Sequence, residues 1–225
     1  MENNNAEGKD ETHVEKPNLY YPYGNFKNRE LNEDPRLKVF KKEWFEGKDC
    51  LHIGCNSGIL TIYIAQKFCC RRILGIDNDS DRVEEAYLNL RKIGSKSMED
   101  GASSTGETPM ELCSMEERNV SDIISFKQEN IVQTQYPLEE KVYDTILCLS
   151  ATQWVDLNVR ANGLYALFQK IWNLLLPGGI LVLEPQSLES YEKNDHASEI
   201  GFKCVEQINS HGENRFNRPI LVFQK

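Results

Sequence analysis

Cys50-Leu51-His52-Ile53 is an apolar run that breaks into Gly54-Cys55-Asn56-Ser57-Gly58. A strand ending in a small, glycine-bearing turn lets backbone approach a ligand closely, and the helix beyond it presents unpaired N–H groups. The next apolar run closes on Gly75-Ile76-Asp77. An acid about 20 residues beyond such a turn, at a strand end, is placed to accept hydrogen bonds from ribose hydroxyls. Together they point to a nucleoside-bearing cofactor. Asp77 has a plainer reading beside this one, as a cap on the helix that starts at Ser80. The turn is Gly-x-x-x-Gly, not the Gly-x-Gly-x-x-Gly that brings a helix end onto a pyrophosphate. Asn56 stands where a dinucleotide loop wants its second glycine, and Asn tolerates the left-handed backbone region.

Elements to position these residues follow from periodicity. A short helix is expected over 35–46, ending at Gly47, with Leu37, Phe40, Trp44 and Phe45 on its apolar face. Cys50–Ile53, Arg72–Ile76, Ile123–Gln128, Val142–Leu149 and Ile180–Glu184 read as strands. Val142–Leu149 is unbroken and apolar, as in a sheet covered on both faces. Helices are expected over Ile59–Phe68, over Ser80–Ile93 with Ser80 as N-cap and Val83, Ala86, Tyr87 and Leu90 inward, and over Arg160–Leu176. The last of these stops at Pro177-Gly178-Gly179. Phe202–Ile208 and Pro219–Gln224 form a closing antiparallel pair. Residues 1–16 read as a disordered acidic tail, and 94–118 as a mobile polar insertion. The expected fold is α/β: a Rossmann-like, doubly wound sheet with one reversed strand and a C-terminal antiparallel hairpin.

The chain has 225 residues and a formal net charge of −9, which argues against non-specific coating of nucleic acid but not against gripping one RNA end in a small basic pocket. No apolar run approaches the roughly 20 residues that span a bilayer, and the N-terminus is not signal-like, so no membrane partner is expected. Seven Cys without a CxxC pair suggest a reducing compartment, and Cys69-Cys70 read as small buried residues. No metal is expected.

Loop, Asp77, Leu176-Pro177-Gly178-Gly179 and hairpin, in that order, resemble the class I S-adenosylmethionine-dependent methyltransferase fold. More specific strings lie around that frame. Asp34-Pro35-Arg36-Leu37, Glu43-Trp44-Phe45, Ile53–Gly58, Leu147-Cys148-Leu149-Ser150, Trp154-Val155, Leu183-Glu184-Pro185-Gln186 and Asn217-Arg218-Pro219-Ile220 resemble the bicoid-interacting RNA methyltransferase family, from about Tyr20 to the C-terminus. The resemblance makes 17–225 a methyltransferase domain with S-adenosyl-L-methionine as cofactor. It implies methyl transfer to a phosphate oxygen at the 5′ end of a small RNA: a γ-phosphate in the best-known members, a monophosphate in a related branch. A nuclear monomer is implied, with the cytoplasm as the other location, ribonucleoprotein proteins as further partners, and no DNA.

Residue roles are carried over from the same resemblance. Arg36 matches an arginine that pairs the methionine carboxylate. Gly54, Cys55 and Asn56 match the cofactor turn, Asp77 and Asn78 the ribose pair, Asn130 and Ile131 the adenine-side pair, and Leu149 the floor beneath the sulfonium. Tyr23 and Lys193 match catalytic positions on the acceptor side. Plainer readings accompany these. Asn130 also suits a loop cap, Arg36 a solvated helix charge, and Lys193 an ordinary surface lysine. Tyr20, Tyr21, Tyr23 and Phe26, interleaved with Lys27 and Arg29, suit core packing and base stacking equally. Trp154 reads as a packing residue.

The chain departs from the family pattern at His52, where an acid is usual, at Gln153 and Asp156, and after Tyr23-Gly24-Asn25-Phe26, where a Tyr-Tyr-Gly-Tyr-Arg block is missing. The segment between Ser190–Lys193 and the final hairpin is also short. An active RNA 5′-phosphate methyltransferase is the leading reading. A shortened or divergent cofactor-binding protein without transfer activity, and a small-molecule O-methyltransferase, are the alternatives.

Overall fold

The computed structural model describes residues 34–99, 119–134, 142–149, 163–185, 196–209 and 218–225. Seven strands form one sheet: β1 Asp49–Ile53, β2 Arg72–Asp77, β3 Ile124–Gln128, β4 Tyr143–Leu149, β5 Leu175–Glu184, β6 Lys203–Ile208 and β7 Ile220–Gln224. Their order is β3-β2-β1-β4-β5-β7-β6. The β3-β2-β1-β4-β5 pairings are parallel, and β7 runs antiparallel to both β5 and β6. The expected single reversed strand is therefore β7. Strand order reverses beside β1, and in open α/β sheets ligands bind at that crevice, beyond the carboxyl ends of the strands.

Alternation along the strands divides the apolar residues between two cores. On one face Cys50, Leu147, Leu149 and Val182 pack with Phe40, Phe45, Ile62, Ala86 and Phe126, beneath α1 Arg36–Val39, α2 Ile59–Phe68 and α3 Ser80–Glu99. On the other, Leu51, Ile146, Cys148, Leu181 and Leu183 pack with Leu167, Phe168 and Ile171 of α5 Gly163–Leu174. Burial of each such side chain contributes about 1.5–3 kcal/mol. Two covered faces explain the apolar run Ile146-Leu147-Cys148-Leu149, whereas Asp144 and Thr145 make the first part of β4 polar, a correction to its reading as unbroken.

Several boundaries differ from expectation, each for a local reason. The helix expected over 35–46 is broken: α1 ends after one turn, Phe40 is extended, and a 3-10 turn follows at Lys42–Trp44. The break lets Phe40, Trp44 and Phe45 all reach the core, with Phe45 stacked on Phe68 at 5.1 Å. Helix α3 runs to Glu99, so the first residues of the expected insertion are helical; 100–118 lie outside the described residues. Asp79, not Ser80, caps α3. Its carboxylate accepts from the Asp81 N–H at 2.9 Å and its carbonyl from the Val83 N–H. Tyr87 stays at the surface, where its hydroxyl bridges the Phe126 backbone.

A one-turn helix, α4 Val120–Ile123, capped by Asn119, shortens the third strand. Helix α5 ends at Leu174 and β5 begins at Leu175. Tyr143 pairs with Leu175 but Thr145 with Ile180, so Pro177-Gly178-Gly179 forms a bulge inside β5 rather than a linker before it. The bulge needs Gly178 at φ +78°, and a Cβ on Gly179 would lie 2.9 Å from the Leu176 carbonyl. A five-residue helix, α6 His196–Ile200, was unsignalled in the sequence. Cys50, Cys55, Cys70, Cys148 and Cys204 are free thiols, and Cys69 and Cys70 are both buried, as read from the sequence. The tail 1–16 and residues 17–33 lie outside the described residues, as do 150–162 and 186–195.

Candidate functional site

The turn after β1 is fastened to the end of β2. The Gly54 and Cys55 N–H groups both donate to the Ile76 carbonyl, at 2.8 and 3.0 Å. That doubled contact needs left-handed backbone, and Gly54 has φ +72°, Asn56 φ +51° and Gly58 φ +72°. Asn56 thus takes the conformation for which it was read. Its Oδ1 accepts from the Ser57 N–H at 2.7 Å, a local bond that offsets the strain of a positive φ. Cys55 is buried, and its thiol is pushed up by burial and by the charge of Asp77. Any ligand contact from Cys55 is therefore through its main chain.

Asp77 joins three loops. One carboxylate oxygen accepts from the Asn56 N–H at 2.9 Å and the other from the Asp79 N–H at 3.1 Å. Its carbonyl accepts from the Glu129 N–H at 2.7 Å. Burial raises its pKa above the ordinary carboxylate value, against the two amide hydrogen bonds. Each carboxylate oxygen has a second acceptor direction, so the side chain can organise the loops and still receive vicinal hydroxyls. Asn78 beside it is exposed, and its carbonyl accepts from Gln128 Nε2.

At the end of β3, Asn130 Oδ1 accepts from the Val132 and Gln133 N–H groups at 3.1 and 3.3 Å, and its carbonyl accepts from Thr134. The loop-cap reading of Asn130 is therefore real. It also holds Ile131, which is 5 % exposed, against the ends of β1 and β2. Among the described residues Glu129 Oε1 is the buried side-chain acceptor without a hydrogen-bond partner, while Oε2 pairs with Lys127.

Across the switch point the same strand edge carries a buried charge cluster. Leu149 ends β4 in register with Glu184, which ends β5. Glu184 Oε2 accepts from Arg36 Nη1 at 3.2 Å. Asp34 takes the other edge of the guanidinium, from Nε at 3.0 Å and Nη2 at 2.7 Å, and also accepts from the Arg36 N–H. Arg36 is 3 % exposed, which removes the solvated-surface reading. Beneath it His52 Nδ1 lies 2.7 Å from Thr61 Oγ1. Burial, then the positive charge of Arg36, push the imidazole down to about 3, so it is neutral.

Gly54, Cys55, Asn56, Asp77, Asn78, Asn130 and Ile131 thus gather along the ends of β1–β3, and Leu149 and Arg36 beside β4 and β5. Tyr23, Lys193 and Trp154 lie outside the described residues. Sequence reasoning quoted Asp34 and Glu184 within family strings without giving them a role. It also missed Thr61, for which no spacing signal links β1 to α2. Among the described residues there is no group of three or more His, Cys, Asp or Glu side chains that could hold a metal.

The edge thus gathers acceptor oxygens at Asp77, apolar side chains at Ile131 and Leu149, and a buried guanidinium with its carboxylates at Arg36. Residues 143–200 match the family model described as bicoid-interacting protein 3. A probable RNA methyltransferase of Arabidopsis thaliana is 45% identical over 260 residues, covering 91% of this chain and 81% of its own length. A U6 snRNA methylphosphate capping enzyme of Drosophila melanogaster is 32% identical, over 94% of this chain and 77% of that one. Among solved structures, the N-methyltransferase NodS of Bradyrhizobium japonicum WM9 in complex with S-adenosyl-L-homocysteine superposes with a TM-score of 0.56 at 16% identity, covering 80% of this chain and 79% of that one. At that identity the likeness is one of fold.

Proposed function

The chain belongs to the bicoid-interacting protein 3 family, and from that premise we propose that it methylates the terminal phosphate at the 5′ end of a small RNA, the γ-phosphate of a 5′ triphosphate. It is a methyltransferase with the class I fold, and its cofactor is S-adenosyl-L-methionine. The observation that carries the acceptor is the Drosophila relative, a U6 snRNA methylphosphate capping enzyme matched over 94% of this chain. Residues 17–225 form the methyltransferase domain in this reading, and the nucleus is its place of work.

When bound, S-adenosyl-L-methionine supplies an electrophilic methyl group on a sulfonium. A terminal phosphate has its second pKa near 6, so its oxygen is already an anion at neutral pH. The chain must then align reactants and exclude water, and needs no general base. A neutral, fully enclosed His52 accords with that requirement. Asp77 and Asn78 receive the ribose hydroxyls, and the main chain of Gly54, Cys55 and Asn56 passes close to the arm. Asn130 and Ile131 flank adenine, Leu149 lies beneath the sulfur, and Arg36 orients the amino-acid end. Tyr23 and Lys193 hold the acceptor phosphate.

The test is transfer of labelled methyl to 5′-triphosphate RNA beside the same RNA with a 5′-hydroxyl. Label is expected on the triphosphate alone, and an Asp77→Ala variant should bind S-adenosylhomocysteine at least tenfold more weakly by calorimetry. Cofactor binding without label on either RNA assigns the chain a binding role instead. Label on small metabolites alone makes the acceptor a small molecule.

A further inference from the structure

The Glu129 side chain is 4 % exposed, and its Oε1 is enclosed with no hydrogen-bond partner. Folding has taken water from this oxygen without supplying a donor, which is costly for a carboxylate and rare in folded proteins. The two nearby ammonium groups are engaged elsewhere. Lys127 Nζ pairs with Oε2 at 2.7 Å, and Lys170 Nζ, which senses the charge of Glu129, donates to the Thr134 carbonyl. The main chain fixes the residue at the proposed adenine end of the site. The Glu129 N–H donates to the Asp77 carbonyl at 2.7 Å, and Asn130 and Ile131 follow directly. Asn130 Oδ1 already accepts from the Val132 and Gln133 N–H groups. A carbonyl oxygen has two lone pairs, so both are used in closing the loop. The neighbouring acceptor with capacity left is Glu129 Oε1.

We propose that Glu129 Oε1 accepts a hydrogen bond from the exocyclic 6-amino group of the cofactor's adenine, and so selects an aminopurine over a purine without that amine. This rests on the cofactor reading above and adds to it a residue that reads the base. The 6-amino group of adenine is a donor, whereas a 6-oxo group would set an acceptor against a carboxylate. Oε1 is shut off from solvent in the unliganded chain, so the side chain turns to meet the amine as the ligand arrives. Binding then relieves an unpaired charge that the free protein already carries. Lys127 stays on Oε2, Asn130 keeps the loop closed, and Ile131 supplies apolar surface.

Calorimetry with S-adenosylhomocysteine and two analogues tests this, one with hydrogen in place of the 6-amino group and one, S-inosylhomocysteine, with a 6-oxo group. The three ligands share ribose, sulfur and amino-acid arm, so contacts common to all cancel in the affinity ratios. Wild-type protein should bind S-adenosylhomocysteine about tenfold more tightly than the 6-hydrogen analogue, and the 6-oxo analogue more weakly than either. Glu129→Ala should weaken S-adenosylhomocysteine about tenfold while leaving the 6-hydrogen analogue within about twofold. Glu129→Gln offers either an amide oxygen or an amide N–H, so it should restore part of the preference for the amine and bind the 6-oxo analogue better than wild type does. Equal losses for all three ligands, or a preference for the amine that survives Glu129→Ala, overturn the proposal, since a residue that only shapes the loop would act on all alike. Should Glu129→Ala fail to fold, the wild-type protein decides: equal affinity for S-adenosylhomocysteine and its 6-hydrogen analogue overturns it. Folded wild-type protein that binds none of the three refutes the cofactor site itself, which is a separate failure.

Discussion

His52 shows how one buried side chain sets a pH limit on the whole protein. Enclosed at 2 % exposure and facing the positive charge of Arg36, its imidazole titrates near 3 in the folded chain, against 6.5 when unfolded. Between those values the unfolded chain binds the extra proton, so stability rises with pH across the window and is lost on acidification below about 6.5. The slope contributed is at most about 1.4 kcal/mol per pH unit. The melting temperature is therefore expected to fall from pH 7 to pH 5. His52→Gln, which retains a partner for Thr61 Oγ1, should flatten that decline. A variant whose melting temperature keeps the wild-type pH dependence would remove His52 as the cause. Asp77 is the converse case. Burial raises its pKa above the ordinary carboxylate value, against two amide N–H groups that lower it.

At the scale of elements, the turn between β1 and α2 is limited as much by space as by conformation. Gly58 has φ +72°, and a Cβ there would sit 2.6 Å from both Ala86 Cβ and Phe126 Cζ. Gly58→Ala should then cost about 2 kcal/mol or more, by adding a strained backbone to a clash between α3 and β3. Chemical denaturation reads this directly, and an unchanged midpoint would mean that the turn can relax. The sequence showed the glycine spacing but gave no hint that Ala86 and Phe126 are what close around it. The same limit applies to helix ends. Asp79 and Ser80 are both good caps, and the choice of Asp79 came from where Asp77 holds the chain, since the Asp79 N–H is tied to Asp77 Oδ1.

For the whole molecule, charge separates specific from non-specific contact with the proposed RNA acceptor. A net charge of −9 repels the polyanion at long range, and the described strand edge carries Asp34, Asp77, Asp79 and Glu184 against the buried Arg36. Binding must then come from two or three cations around one RNA end. The logarithm of the association constant should fall against the logarithm of salt concentration with a slope of about −1 to −2. A slope steeper than about −5 would indicate an extended basic track and a different mode of binding. Most strands and helices along the chain, a sheet covered on both faces and one reversed strand were legible, because apolar periodicity and turn residues act over a few neighbours, whereas the order of strands across the sheet came from the tertiary structure.

The sequence by itself determined the class of cofactor and the fold that presents it. Gly-x-x-x-Gly after one strand and an acid after the next are local patterns, and a left-handed turn or a strand end follows from a handful of adjacent residues. Only the tertiary structure decided what Asp34, Thr61, Glu184 and Glu129 do, and that Arg36 is enclosed between two carboxylates. Thr61 meets His52 across 9 positions of chain and Glu184 meets Arg36 across 148, and no local pattern encodes such a meeting. It depends on which strands lie side by side, and on how much water their packing removes.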